Sequence, residues 1–408
     1  DRLMGVEPKD YDIATGATPD QVSALFRRTV EVGKAFGVVV VLSGDFQFDV
    51  ATFRSDGTYS DGRRPDSISF SDHRSDVLRR DFTINGLLED PVENRIIDLV
   101  GGREDISRKL IRTIGDPAQR FAEDKLRIMR AIRFSCQLGF TIDPATAEAI
   151  RATAPAITDV SNERIREELR KVLLTPSRAE GIDLFRDLGI LSLILPEVSD
   201  MIGVPQPPQF HPEGDVYVHT LLCLRKLESP TFAIALATLL HDVGKPRTIV
   251  MPVDPATDRI RFNAHEIVGE RMAEKICRRL KLSSEETEKV CWMVAKHMVF
   301  KDVPHMRESR LKRFLSHEHY NDLERLYVAD KLSADGDMSD YAYIKEKREK
   351  FTEEDLRPKP FLSGKDLIAM GYTPGPIFTE ILDAVYDAQL EGVVRSRDEA
   401  EALVRNRF

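Results

Sequence analysis

Strand-forming sequence is confined to the first hundred residues, which limits the chain to a mixed α/β start followed by a long helical remainder. Val38–Leu42 is a β-branched run and Phe46–Phe53 alternates, with the turn signal Ser43-Gly44-Asp45 between them, so this stretch predicts a hairpin. Ala24–Phe36 has the spacing of an amphipathic helix. From residue 101 to 200 nearly everything reads as helix, over Arg120–Leu138, Thr146–Ala154 and Asn162–Leu174, with Pro144, Pro155 and Pro176 near their ends. Residues 206–345 are helical again and hold eight of the nine histidines. A charged run with Pro358 and Pro360 predicts a linker, and a small helical module follows it. The expected division is 1–100, 101–205, 206–345 and 346–408.

A chain of 408 residues can bury several cores, and 42% apolar with 31% charged residues excludes a disordered or fibrous protein. No apolar run approaches the roughly 20 residues of a membrane span. The cysteines Cys136, Cys223, Cys277 and Cys291 have no pairing or metal-ligand spacing, so they read as reduced thiols of a cytoplasmic protein. A net charge of −9 is opposite to the basic excess of a typical nucleic-acid binder, so any such contact must rely on a local basic patch. The absence of G-x-G-x-x-G and Walker loops argues against dinucleotide and P-loop chemistry. No secretory leader is visible, and because the chain opens at Asp1, its native start is expected to lie upstream.

Two constellations carry chemistry. Lys9-Asp10-Tyr11-Asp12 puts two aspartates at i and i+2, on one side of a strand, and Asp49 on a neighbouring strand is the candidate third acid. Three carboxylates, two divalent ions and a nucleoside triphosphate form the apparatus of in-line phosphoryl transfer, whereas a lone D-x-D is more often solvated. Arg79-Arg80-Asp81-Phe82-Thr83-Ile84-Asn85-Gly86 combines arginine, aspartate and asparagine that can grip phosphates and a ribose hydroxyl. Asp56–Pro65 is turn-rich and polar. On a helix, Asp124, Arg127 and Arg130 fall at i, i+3 and i+6. An aspartate beside an arginine matches the amino group and ring acceptor of a base edge, and equally reads as a solvated salt bridge.

The second constellation is His219, His241-Asp242, His265, His297 and Asp330, a donor set suited to Zn, Mn, Fe, Ni or Co. His73, His211, His305, His317 and His319 show no partner by spacing, and Trp292 and most phenylalanines read as core. Lys245 reads either as a phosphate-neutralising residue or as a solvated lysine at a helix end.

Four motifs occur in order over roughly residues 1–200: D-x-D, V-A-T-F-R, R-R-D-F-T-I-N-G and E-D-x-x-R-x-x-R-A-x-R-F. Together they resemble the bacterial class II tRNA nucleotidyltransferases, which include CCA-, CC- and A-adding enzymes and bacterial poly(A) polymerases. Glu163–Leu169 is similar to that family's further helical motif. The resemblance implies a polymerase-β-like α/β nucleotidyltransferase head followed by an all-α neck, an HD body and a tail. It implies that Asp10 and Asp12 bind Mg²⁺ with Asp49 as third acid, and that Arg80, Asp81 and Asn85 contact the nucleotide's phosphates and sugar. Asp124 and Arg127 would read the base, with Arg130 and Arg133 in support. Asp56–Pro65 matches the family's loop that helps switch selection from C to A, a loop that CC-adding members typically lack. The family's first motif opens with a glycine pair and V-R-D, and this chain begins at the matching aspartate, Asp1.

Leu239-Leu240-His241-Asp242-Val243-Gly244-Lys245-Pro246, with His219 before it and Asp330 after it, resembles the HD phosphohydrolase superfamily. His219, His241, Asp242 and Asp330 match its minimal metal set, and His265 and His297 the extra histidines of two-metal members. The implied substrate is a phosphomonoester or 2′,3′-cyclic phosphate. Leu362–Leu367 and Thr373–Pro376 are similar to the tails of HD-containing members, and in plain terms are a capped helix and a turn. The expected function is template-independent addition of CCA to a tRNA 3′ end from CTP and ATP. A-addition and poly(A) synthesis are the near alternatives. The alternative of a different class is an inactive head that binds RNA beside HD hydrolysis.

Overall fold

The valine run at 38–42 forms one of two inner strands of a four-stranded sheet in a computed structural model that describes residues 2–8, 10–31, 33, 36–57, 67–254 and 258–408. Sheet order is β1 (Asp12–Thr15), β4 (Phe46–Thr52), β3 (Val38–Ser43), β2 (Thr29–Val30). The expected hairpin is present: β3 and β4 pair antiparallel from Val38↔Ala51 to Ser43↔Phe46, and Gly44 at φ +61° makes the turn. Alternation sends Val39, Val41 and Val50 to one face, where they bury against Val22 of α1 (Pro19–Leu25).

Among the described residues of the span, the helix expected over Ala24–Phe36 does not continue past Leu25. Helix α1 starts earlier, fixed by Pro19 and a reciprocal cap between Thr18 and Gln21, and stops at Leu25. The β-branched Thr29–Val30 instead pairs with Val40 and Val41, so sheet pairing overrides the helical period. Strand β1 begins at Asp12, so Asp10 lies just ahead of the strand and not on it.

The chain divides into two compact units, Asp1–Ser199 with Arg279–Lys281, and Asp200–Arg278 with Leu282–Phe408. The first unit continues through the antiparallel pairs β5 (Arg54–Asp56) with β6 (Ile68–Phe70) and β7 (Leu87–Asp90) with β8 (Arg95–Asp98). Helix α2 (His73–Leu78) separates those pairs, and α3 (Gly102–Arg108) follows them. Next come α4 (Pro117–Glu123), α5 (Arg127–Leu138), α6 (Pro144–Thr153), α7 (Asn162–Leu173), α8 (Arg178–Asp187), α9 (Leu191–Ile194) and α10 (Pro196–Ser199). The single helix expected over Arg120–Leu138 is therefore two. Asp124 turns extended, at φ −140° and ψ 103°, and its carboxylate accepts from the Leu126 amide.

The second unit is helical among the described residues apart from the short pair Ile249–Val250 with Arg261–Phe262. It runs α11 (Val216–Lys226), α12 (Phe232–Leu240), α13 (Lys245–Thr248), α14 (His265–Arg279), α15 (Ser284–Lys296), α16 (Glu308–Leu315), α17 (Tyr320–Lys331), α18 (Ser339–Lys350) and α19 (Glu353–Leu356). Helix α18 absorbs the charged run expected to be linker, leaving only the Pro358/Pro360 segment irregular. The tail helices α20 (Gly364–Ala369), α21 (Pro376–Leu390) and α22 (Arg397–Arg407) close on a small core of Leu362, Leu367, Ile381, Val385, Val394, Ala400 and Val404.

Gly244 lies where the chain after α12 crosses α14. A Cβ built there would sit 2.1 Å from the His265 carbonyl oxygen and 2.7 Å from the Gly269 nitrogen. Both obstacles are backbone and cannot rotate away. Gly244→Ala is expected to cost about 1–3 kcal/mol of overpacking strain and to lower the thermal midpoint by several degrees, read by circular dichroism.

Candidate functional site

In the first unit, β1 and β4 run parallel with Asp12 and Asp49 as register partners. Register partners share a face, and neighbouring strands lie about 4.8 Å apart, so both exposed carboxylates address one volume of solvent. This face is opposite the one that Val50 buries. Asp10 is exposed and accepts from its own neighbour, the Tyr11 amide, at 2.8 Å. The oxygens of Asp10, Asp12 and Asp49 do not all lie within 4.8 Å of one another.

The R-R-D-F-T-I-N-G segment is held by charge pairing. Asp76, itself buried, takes Arg79 at 2.5 Å on one oxygen and Arg80 at 3.0 Å on the other. Arg80 also donates to the Asn85 carbonyl. Asp81 is 7% exposed and meets Arg130 at 2.6 Å, while the Phe82 amide and the Asn85 side chain donate to its other oxygen. Burial raises the Asp81 pKa, but the Arg130 guanidinium and Asn85 amide outweigh it, so the carboxyl titrates below its ordinary value.

Helix α5 carries the remaining arginines. Arg127 pairs with Glu123 at 2.6 Å and donates to the carbonyls of Arg120 and Arg79. Arg133 is buried, paired with the equally buried Glu168 of α7 at 2.7 Å, and lies 4.0 Å from the Phe134 ring centroid. Asp124 pairs with Arg164 of α7, which donates to both its oxygens at 3.0 and 3.1 Å. The stretch Asp56–Pro65 falls outside the described residues from residue 58 onward, as does Asp1.

In the second unit, all six expected ligands converge. His219, His241 and Asp330, joined by Cys223, place one ligand atom each within 4.8 Å of one another, as do Asp242, His265 and His297. Three imidazoles are oriented alike. Nδ1 of His241, His265 and His297 lies 2.7, 2.8 and 2.7 Å from the carbonyls of Thr238, Phe262 and Val294, each three residues back. A carbonyl only accepts, so Nδ1 carries the proton and Nε2 presents its lone pair inward. His265 Nε2 and His297 Nε2 then face each other at 3.1 Å, and buried His241 Nε2 has no hydrogen-bond partner. Lone pairs so close require a proton or a cation between them. Burial and the neighbouring imidazoles push His297 down to about 3, and a divalent ion would satisfy both lone pairs at once. The donor set therefore fits a divalent metal.

Asp242 is 1% exposed. Burial raises its pKa, but His241 and Lys245 prevail and hold it well below the ordinary range. Lys245 is buried, 2.6 Å from Asp242, and donates to Gln206. The reading of it as a solvated lysine at a helix end is thereby corrected, since its charge is compensated by the carboxylate and not by water.

Residues 1–112 match the family model for the poly A polymerase head domain, 139–202 the probable RNA and SrmB-binding site of polymerase A, and 217–335 the HD domain. The A-adding tRNA nucleotidyltransferase of Deinococcus radiodurans is 33% identical over 432 residues, covering 99% of this chain and 93% of that protein. This chain belongs to the bacterial tRNA nucleotidyltransferases that carry an HD domain. The CCA-adding enzyme of Bacillus pumilus is 49% identical over 174 residues, spanning 42% of this chain and less than half of that relative, 43%. The crystal structure of the Bacillus stearothermophilus CCA-adding enzyme with CTP superposes with a TM-score of 0.73 at 28% identity, over 100% of this chain and 91% of that one.

Sequence reasoning about this family member missed several groups. Cys223 stands four residues after His219 on α11, a helical spacing that could have revealed it. His211 and Glu213 also gather at His219, from a loop where no periodicity speaks. Asp76, Glu123 and Glu168 were assigned no role, the last two although they lie within recognised motifs, yet each holds an arginine. His317 stacks on Trp292 at 3.9 Å, which gives that histidine a partner.

Arg133 and Glu168 form a buried pair, so losing one member strands a charge. Glu168→Ala is expected to destabilise by about 3–5 kcal/mol, whereas the double apolar replacement Arg133→Met with Glu168→Leu loses far less. Urea unfolding of the two variants checks this, and equal losses would contradict it.

Proposed function

We propose that this chain is a template-independent RNA 3′-end nucleotidyltransferase that adds C, C and A to tRNA from CTP and ATP and releases pyrophosphate. The observation that carries the reading is the register pairing of Asp12 with Asp49 on the solvent face of the sheet, with Asp10 two residues ahead. In this reading Asp10 and Asp12 hold Mg²⁺ and Asp49 is the third acid. Bound there, Mg²⁺ supplies charge neutralisation for the triphosphate and its leaving group. Arg80, Asp81 and Asn85 take the phosphates and ribose, and Asp124 with Arg127 presents acceptor and donor to the base edge. Arg130 and Arg133 support them through Asp81 and Glu168. Because Asp124 and Arg127 are already clamped, the protein offers a fixed hydrogen-bonding pattern that can select a base without a template.

The proposal extends to the second unit. His219, His241, Asp242, His265, His297 and Asp330 hold a divalent transition metal and hydrolyse a phosphomonoester or 2′,3′-cyclic phosphate. Clearing a blocked RNA end would restore the 3′-hydroxyl that polymerisation requires. The four parts are a head at 1–100, a neck at 101–205, an HD body at 206–345 and a tail at 346–408, acting in the cytoplasm. No described helix is long and apolar enough to cross a membrane. The Bacillus pumilus relative and the CTP-bound structure favour CCA addition over the A addition for which the Deinococcus radiodurans relative is named.

Labelled CTP and ATP, offered separately and together to tRNA lacking its end, tRNA ending in CC and unstructured RNA, decide among them. Two C and one A on tRNA supports the proposal. One A on the CC-ended tRNA alone makes it an A-adder, and long A tails on any RNA make it a poly(A) polymerase. Asp10→Ala with Asp12→Ala is expected to lower incorporation at least about 10³-fold, roughly 4 kcal/mol of transition-state stabilisation, and to spare phosphatase activity. His241→Ala with Asp242→Ala is expected to do the reverse. Loss of both activities in either folded variant would sink the two-site reading.

A further inference from the structure

Of the four imidazoles among the expected ligands, His219 alone is not oriented by a carbonyl three residues back. Its buried Nδ1 lies 2.7 Å from Oε1 of Glu213, a close ion-pair contact without hydrogen-bond alignment, and its Nε2 lies 2.9 Å from Oδ1 of Asp330. His219 is fully buried and the Glu213 side chain is 6% exposed, so this contact is shielded from water. The same Glu213 oxygen is 3.0 Å from Nδ1 of His211, whose ring centroid lies 4.7 Å from that of His219. Glu213 Oε2 is buried and has no hydrogen-bond partner.

The loop that carries Glu213 is itself braced. Asp215 caps α11 through the Val218 amide at 2.8 Å and accepts from the Gly203 amide at 2.7 Å. Backbone bonds join Gln206 to Gly214 at 3.0 Å and Val216 to Val204 at 3.1 Å. Gln206, in the same loop, accepts from Lys245, which pairs with Asp242. One hydrogen-bonded loop therefore touches two of the expected ligands, His219 through Glu213 and Asp242 through Gln206 and Lys245.

We infer that Glu213 is a positioning residue for the metal site. Its carboxylate, set against Nδ1 of His219, favours the proton on that nitrogen, leaves Nε2 as the ligand atom beside Asp330, and raises the basicity of the ring. The main chain does this work for His241, His265 and His297, and no side-chain substitution removes it there. At His219 it rests on one carboxylate, so a single substitution exposes it. His211 shares the same oxygen and holds Glu213 from the outer side.

The inference rests on the proposal that the cluster binds a divalent metal, and the test separates the two. The full-length protein is freed of metal and titrated with Co²⁺ against a coloured chelator, and the visible Co²⁺ spectrum is recorded. Three proteins are compared: the unsubstituted chain, Glu213→Gln and Glu213→Leu. The glutamine keeps an acceptor oxygen without charge, and the leucine keeps neither. The expected order of Co²⁺ affinity is unsubstituted, then Gln, then Leu, with about a 10–100-fold loss for Leu. The spectrum of the Leu variant is expected to shift at saturation while the metal-free thermal midpoint of the Gln variant stays unchanged. Should Glu213→Leu fail to fold, the isosteric Glu213→Gln alone carries the comparison. Equal affinities and spectra in all folded variants would overturn the role of Glu213. Failure of the unsubstituted chain to take up Co²⁺ would instead overturn the metal site, and this inference with it.

Discussion

Burying a charge requires a partner, and both candidate sites are built on that constraint. Arg133 is inside because Glu168 is inside, and Asp81 because Arg130 meets it. Asp242 is held by Lys245, and His219 by carboxylates on both ring nitrogens. Each pair removes rotamer freedom from a residue that the family resemblance singles out. A substrate or ion meeting such groups finds them already oriented, so little ordering entropy is lost on binding.

The two sites use the constraint differently. Asp12 and Asp49 are exposed on the sheet's solvent face with Asp10 exposed just ahead of it, and their oxygens are not drawn into a tight group. That suits a hard ion that keeps several waters and shares its ligands with a triphosphate. The second unit's ligands are buried apart from the partly exposed Asp330, with three of the four tautomers set by carbonyls three residues back. That suits a softer metal gripped by imidazole, whose ligands need fixed orientation more than hydration. Gly244 belongs to the same design, because only its missing side chain allows the His241-Asp242 segment to approach the backbone that carries His265.

Where sequence reasoning went astray, a longer-range interaction had outweighed a local period. The helix read over Ala24–Phe36 has apolar residues at helical spacing, but Thr29 and Val30 gain more by pairing with β3. The continuous helix read over Arg120–Leu138 ignored a carboxylate at position 124 that accepts from the backbone two residues on. Breaking the helix there leaves Asp124 where Arg164 of α7 can reach it, while Arg127 pairs with Glu123, so each of the two is held by its own ion pair.

The amino-acid sequence by itself determined the valine hairpin, the α/β start and helical remainder, and the residue types of both constellations. Local propensity, turn chemistry and motif order are encoded in short windows. It also named the six histidines and aspartates that converge, because the motif spacing carries them. Only the tertiary structure decided which charges meet. Asp12 faces Asp49 through strand register, Arg133 finds Glu168 35 residues away, and Glu213 reaches His219 from a braced loop. Such partners are chosen by the need to compensate a charge that packing has removed from water, and no window of sequence records where that packing will occur.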